Sequence, residues 1–284
     1  MRIVFFGINS VYSILPLLAI REGFEVVAVI TDKRKSSFSF RSFAGSVFHS
    51  MQKDTFKKSF SLQKTCDVYG IPYFEFDRVN NKECIDQLTL LKPDVICMSG
   101  FNEKIGVEIL KIPVHGMYNA HSSVLPGNRG AHPFFWMIKN NKMNAGCTIH
   151  KVNEAFDDGP VVASSSVKIY EGSNLSIYNY LVAAEAARLF AEVLPKIATG
   201  SLTSSPQIKT TEALNRNPLE KDLLIKNTST VSQALWLFNA YTDTLTASVE
   251  TPSGIKKCIR LSKNNFDGAE SYRLADGVIY ILTA

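Results

Sequence analysis

An α/β fold with a mostly parallel sheet, followed by a small β-rich C-terminal domain, is predicted by three features of the 284-residue sequence. Apolar runs at Arg2 to Phe6, Phe24 to Thr31 and Pro93 to Gly100 are hydrophobic on both faces, the form of strands covered on either side by helices. Helical periodicity alternates with them, as in Val11 to Ile20, where Ile14, Leu17, Leu18 and Ile20 supply an apolar face. Beyond Thr199 to Pro206, where Ser, Thr, Gly and Pro cluster, the pattern changes to short β-rich runs separated by turn signals.

The first run ends in Gly7-Ile8-Asn9-Ser10, so strand, turn, helix and second strand make a βαβ unit with a right-handed crossover. A lone glycine at that turn is not a G-x-G-x-x-G fingerprint, and dinucleotide binding is not supported. Ser36 to Ser61 reads as an insertion in which six phenylalanines alternate with Ser and Lys, with an amphipathic helix over roughly Phe43 to Phe56. Helices at Ser61 to Tyr69 and Lys82 to Leu91 flank a strand at Pro72 to Phe76. The run ending Cys97-Met98-Ser99-Gly100 has the form of a central strand whose carboxyl end opens on a ligand site. Gly106 to Leu110 adds a turn of helix, and Met117 starts the next strand.

Ala131 to Asn140 is helical, with Pro133 tolerated in the first turn. Strands at Cys147 to Val152 and Val161 to Ile169 flank an acidic turn, and Leu175 to Leu194 is a long helix ended by Pro195 and Gly200. Residues 1–205 are therefore assigned to a first domain and 206–284 to a second. The second contains a helix at Val231 to Ala240, a hairpin joining Thr244 to Glu250 and Ile255 to Leu261, and a last strand at Val278 to Leu282. A free edge there suits a homodimer, and equally an edge covered within the chain.

Hydrophobic residues make up 45% and charged residues 20%, the balance of a folded soluble chain. Ile3 to Phe6 is too short to span a bilayer and no cleavable leader follows, so a cytoplasmic protein with no membrane anchor is expected. Five scattered cysteines without a C-x-x-C pair make a poor disulfide framework. The net charge of +5 is uneven: Lys33, Arg34, Lys35, Arg41, Lys53, Lys57, Lys58 and Lys64 stand against Asp54 alone. That segment is either a solvated surface or an attractor for a polyanion.

Chemistry concentrates between Met117 and Gly159. Asn119 and His121 lie two apart on a strand, so both side chains enter one space. One is an amide donor and the other titrates near neutrality. Asp157 or Asp158, in the turn after the Thr148 to Val152 strand, reaches that space if the strands are neighbours. Such a trio supplies oxyanion stabilisation, proton handling and an orienting carboxylate. A lone histidine near a strand end and an Asp-Asp-Gly turn are also common without catalysis. His132 and His150 do not complete a ligand set for zinc, so no metal is expected.

The pattern Asn-x-His-Ser-Ser-x-Leu-Pro-x-x-Arg-Gly, followed by Asp-x-Gly after a Thr-Ile-His strand, resembles the formyltransferases that use formyltetrahydrofolate. The resemblance covers Met1 to about Ser205 and implies a Rossmann-like formyltransferase domain. It implies Asn119, His121 and Asp157 as the catalytic trio, with Asp158 at the variable position. It implies a 10-formyltetrahydrofolate site, enclosed largely through backbone groups, at Met98, Gly100 and Phe101, Ser123 to Pro126 (Ser123, Val124, Leu125, Pro126), and Glu154 and Ala155. On the acceptor side it implies Gly7, Asn9, Ser10, Tyr12, Lys33, Arg129 and His132. The implied reaction is direct formyl transfer to a primary amine without a covalent enzyme intermediate or a metal.

Three acceptors come with the family: glycinamide ribonucleotide, the aminoacyl end of initiator tRNA, and a nucleotide-linked amino sugar. The C-terminal region counts against the first. The tRNA-directed members commonly carry Ala-Ala-Pro-Ile where this chain has Ala131-His132-Pro133-Phe134, and the sequence here looks more like the amino-sugar N-formyltransferases. A dTDP- or UDP-linked amino-dideoxyhexose destined for a surface glycan, as in lipopolysaccharide O-antigen, is favoured over tRNA. The basic Lys33 to Lys64 segment suits either polyanion.

Overall fold

The computed structural model describes residues 1–33, 61–101, 103–170, 173, 175–241 and 247–283. The basic, aromatic segment with its predicted helix over Phe43 to Phe56 lies outside the described residues, as do Asn102 and Thr244.

Seven strands make the main sheet: β1 (Arg2–Phe6), β2 (Glu25–Asp32), β3 (Tyr73–Phe76), β4 (Val95–Ser99), β5 (Met117–His121), β6 (Gly146–Lys151) and β7 (Val161–Ser166). Their order is β3-β2-β1-β4-β5-β6-β7. Pairing is parallel from β3 through β5, then antiparallel for β5 with β6 and β6 with β7. The helices are α1 (Val11–Gly23), α2 (Leu62–Tyr69), α3 (Lys82–Leu91), α4 (Val107–Leu110), α5 (Pro133–Lys139), α6 (Leu175–Ala198) and α7 (Val231–Tyr241). Strand order reverses between β1 and β4, and open α/β sheets bind ligands outside the carboxyl ends of strands at such a point.

Strand alternation sorts the core into two layers. Ile3 and Phe5, Val95 and Cys97, and Tyr118 and Ala120 pack with α1, α5 and α6 on one face. Val4 and Phe6, Ile96 and Met98, and Met117 pack with α3 and α4 on the other. Met117 sets the phase of β5, so Asn119 and His121 follow on its face, farther toward the carboxyl end of the strand.

The long helix expected to stop at Leu194 continues through Pro195 to Ala198. Proline forfeits one helical bond so near the end. Burial of Val193, Leu194 and Ile197 outweighs that loss, and Thr199 N–H donates to Pro195 O at 3.1 Å.

A second sheet contains β8 (Leu224–Ile225), β9 (Ser248–Thr251), β10 (Gly254–Ser262), β11 (Glu270–Leu274) and β12 (Gly277–Thr283), ordered β11-β12-β10-β9-β8. The predicted hairpin is β9 to β10, with Thr251 paired to Gly254, and the predicted last strand is β12. The sequence does not announce β11, which buries only Leu274 and has no apolar run to read. One apolar cluster joins the helices of the first sheet to Ile225, Val249, Leu261 and Ile281 of the second. Its junction is aromatic: Phe134 of α5 stacks on Tyr178 of α6 at 4.3 Å between ring centres and meets Trp236 of α7 at 6.2 Å.

Among the described residues, no helix is long and apolar enough to cross a membrane. All five cysteines are buried free thiols, and burial raises the Cys66, Cys84 and Cys258 thiols to about 12, so they are inert at neutral pH.

Candidate active site

Asn119 and His121 lie in the carboxyl-terminal half of β5, and both are buried. The antiparallel partner β6 places His150 opposite Asn119 and Thr148 opposite His121. Directly paired residues share a face, so a four-residue polar patch forms on the ladder itself. Asp157 completes it from the loop after β6: Oδ1 lies 3.4 Å from Asn119 Nδ2 and 3.4 Å from His150 Nε2, and Oδ2 lies 3.5 Å from His121 Nδ1.

The Asp157 loop is held by close backbone packing. Asp157 has φ 49, in the left-handed region. A Cβ on Gly159 would stand 1.7 Å from Lys151 O, so the glycine of Asp-x-Gly lets the loop lie against the end of β6. Gly130 N–H donates to Asp157 Oδ2 at 2.8 Å. Asp158 faces outward and pairs with Arg129.

Burial pushes the Asp157 pKa up, but the His121 charge, the hydrogen bond and charge of His150 and the Gly130 N–H outweigh it, holding the carboxyl well below the usual carboxylate range. His121 Nε2 lies 2.9 Å from Asn128 O, which only accepts, so Nε2 carries hydrogen and Nδ1 faces the carboxylate. His150 Nδ1 faces Lys151 O at 3.2 Å and Nε2 faces Asn119 Nδ2 at 3.2 Å. Neutral His150 therefore accepts from the Asn119 amide, and protonated His150 donates to Asp157 instead. A proton arriving at Nε2 exchanges one contact for the other.

The family model described as formyl transferase matches residues 1–194. The chain belongs to the formyl transferase family. It is 32% identical over 146 residues to the methionyl-tRNA formyltransferase of Kosmotoga olearia, covering 51% of this chain and 47% of that protein. The chain spans less than two thirds of the length of the curated relatives it matches. Among the solved structures that extend along its length, WlaRD, a sugar 3N-formyl transferase in the presence of dTDP and 5-N-formyl-THF, covers 100% of this chain and 97% of its own at TM-score 0.67 and 16% identity. The N-formyltransferase of Helicobacter canadensis, in complex with folinic acid and dTDP-3-aminofucose, covers 99% of both chains at TM-score 0.65 and 16% identity.

In this member of the family the segments singled out by sequence follow the carboxyl ends of β1, β4 and β5, except Lys33 after β2 and Glu154 and Ala155 after β6. Ile8 N–H donates to Ser13 Oγ at 3.0 Å, Ser13 Oγ–H to Ser99 O at 2.6 Å and Ser99 Oγ–H to Tyr12 O at 2.5 Å, tying the β1 and β4 loops across the strand-order reversal. Met98, Phe101, Ser123 and Leu125 are buried, with Phe101 edge-on to Phe6, while Glu154 and Ala155 are exposed. Gly100 turns the chain at φ 73.

Several implied binding residues have local duties. Val124 N–H donates to Asn144 O at 3.1 Å and Leu125 N–H to Thr148 Oγ1 at 3.0 Å, so these two amides are already engaged before Pro126. Asn9 Oδ1 accepts from Leu62 N–H at 2.8 Å, and Ser10 caps α1 by accepting from Tyr12 N–H at 3.2 Å. Tyr12, expected beside the acceptor, is buried and donates to Ala120 O at 2.7 Å, which makes it a prop for β5. Gly7 is required by crowding: a Cβ would meet the Phe5 ring at 2.8 Å. Lys33 is exposed at the end of β2, Arg129 faces Asp158, and His132 caps α5 at φ 51.

Sequence reasoning reads Thr148 and His150 as part of the family motif, weighs His150 as a metal ligand, and gives neither of them, nor Gln207, a role in the site. The signal for the first two is alternation: Cys147 and Ile149 face the core, so Thr148 and His150 face the site. Among the described residues, no group of three or more His, Cys, Asp and Glu side chains is placed to hold a metal.

Proposed function

We propose that this chain transfers the formyl group of 10-formyltetrahydrofolate to the primary amine of a nucleotide-linked amino-dideoxyhexose, with dTDP or UDP as the nucleotide, for a surface glycan. The observation that carries this reading is length: sugar N-formyltransferase folds match 99–100% of this chain, second sheet included, and 97–99% of their own, whereas HypX from Aquifex aeolicus matches 99% of this chain but 45% of its own. The His132 to Trp136 sequence points the same way.

In this reading Asn119 gives one amide N–H to Asp157 and turns the other from His150 to the formyl oxygen. The neutral amine nitrogen attacks the formyl carbon, and the carbonyl π electrons move to oxygen. The Asn119 amide donor stabilises that oxyanion in a site sheltered from water, while His121, its Nε2–H held by Asn128 O, presents Nδ1 to Asp157. Asp157, held ionised, takes the proton shed by the amine and relays it to His150 Nε2, 3.4 Å away, which passes it to the departing folate nitrogen and returns to the neutral state. Collapse restores the carbonyl and breaks the bond to that nitrogen. Residues 1–205 supply this chemistry and 206–284 form the second domain.

A tRNA acceptor is the second reading, favoured by the identity to methionyl-tRNA formyltransferase. Calorimetric titration in the presence of 5-formyltetrahydrofolate separates them. Saturable binding of dTDP or UDP with weak salt dependence supports the sugar nucleotide. Binding of initiator tRNA alone, falling steeply as salt rises, overturns it.

A further inference from the structure

We infer that Gln207, on the segment joining α6 to the second sheet, is a positioning residue for Asp157 in formyl transfer. The inference rests on Asp157 serving the transfer chemistry and adds a residue beyond the matched region 1–194. Gln207 Nε2 donates to Asp157 O at 2.8 Å and to Gly159 O at 2.8 Å. Both partners are carbonyls, so only the NH2 end of the amide can face them, which fixes its orientation. Gln207 Oε1 is buried with no hydrogen-bond partner among the described residues. The side chain thus keeps its two donations at the expense of its own acceptor.

Those donations clamp both sides of Asp158 and hold a non-glycine residue at φ 49, which sets where the Asp157 carboxylate points. The same segment is anchored at both ends. Val161 and Ser205 exchange backbone hydrogen bonds at 2.8 Å each way. Asn215 N–H donates to Arg129 O at 2.8 Å, and Ala131 N–H donates to Asn215 O at 2.9 Å. Between these two contacts lies Gly130, whose N–H holds Asp157 Oδ2, and a Cβ there would meet Asn215 O at 2.4 Å. One stretch of chain therefore fixes the Asp157 backbone through Gln207 and its carboxylate donor through Asn215.

The test uses the full chain carrying Gln207→Ala or Gln207→Glu; the second keeps the shape and removes both donors. With 10-formyltetrahydrofolate and dTDP-3-aminofucose, kcat should fall about a hundredfold in each while both KM values stay within about threefold. A second readout needs no acceptor: the 13C titration of the Asp157 carboxyl. His121, His150, the buried Tyr12 hydroxyl and the Arg129–Asp158 pair face or adjoin this group. Loosened from the two histidines, Asp157 should titrate in the ordinary carboxylate range in the variants and below it in the wild type. Wild-type kcat with an unchanged Asp157 titration in either folded variant overturns the inference. If the wild-type chain formylates no amine, the functional reading fails and the titration alone decides for or against Gln207.

Discussion

Asn119 and His150 stand directly opposite one another on the antiparallel β5 and β6 strands, with Asn119 Nδ2 3.2 Å from His150 Nε2. The imidazole therefore aims the amide that serves the oxyanion in the proposed reaction. Asn119→Ala should lower kcat by roughly 10²–10³-fold, as loss of an oxyanion donor does. His150→Ala should cost less, and the double variant little more than Asn119→Ala alone, because both act through one amide. Transfer rates of the three variants check this; full additivity would separate the roles.

Asp157 binds a proton less readily folded than unfolded. Its pairing therefore stabilises the fold fully above the ordinary carboxylate range, and that contribution fades as pH falls through the range toward the lower folded value. Asp157→Asn should show a lower Tm than wild type at neutral pH, with the gap closing under strongly acidic conditions. Thermal melts of both proteins across pH measure it.

Gly159→Ala places a methyl group where Lys151 O already lies. The loop must move away from β6, costing about 1–3 kcal/mol as overpacking does. Activity should fall further than stability, since Asp157 moves with the loop. Melting and transfer assays on one preparation distinguish the two effects.

Phe134 is buried between Tyr178 and Trp236, where α5, α6 and α7 meet. Phe134→Ala should cost about 3–5 kcal/mol, read from denaturant unfolding. A cost near that of a surface substitution would mean that the two sheets do not share a core.

The parallel strands and the shared face of Asn119 and His121 were legible because both rest on local pattern: doubly buried runs mark the strands, and period-two spacing unites the two side chains. The choice of Asp157 over Asp158 needed the family resemblance, since spacing left both open. His150 was hidden by being read alone; only its register against Asn119 gives it a role. Gln207 directly follows the segment whose Ser, Thr, Gly and Pro composition marks a boundary, and no local signal tells that the chain there folds back on the site. Tyr12 and the Val124 and Leu125 amides show the reverse: residues beside a site can be taken up in holding it together.

The most direct measurement is a comparison of kcat/KM for formyl transfer from 10-formyltetrahydrofolate to dTDP- or UDP-linked amino-dideoxyhexoses and to methionyl initiator tRNA, with the N-formyl product identified by mass spectrometry. The account predicts formylation of a sugar nucleotide at a rate far above that of tRNA, abolished in Asn119→Ala. Formylated methionyl-tRNA at a substantial rate with no sugar product would contradict it.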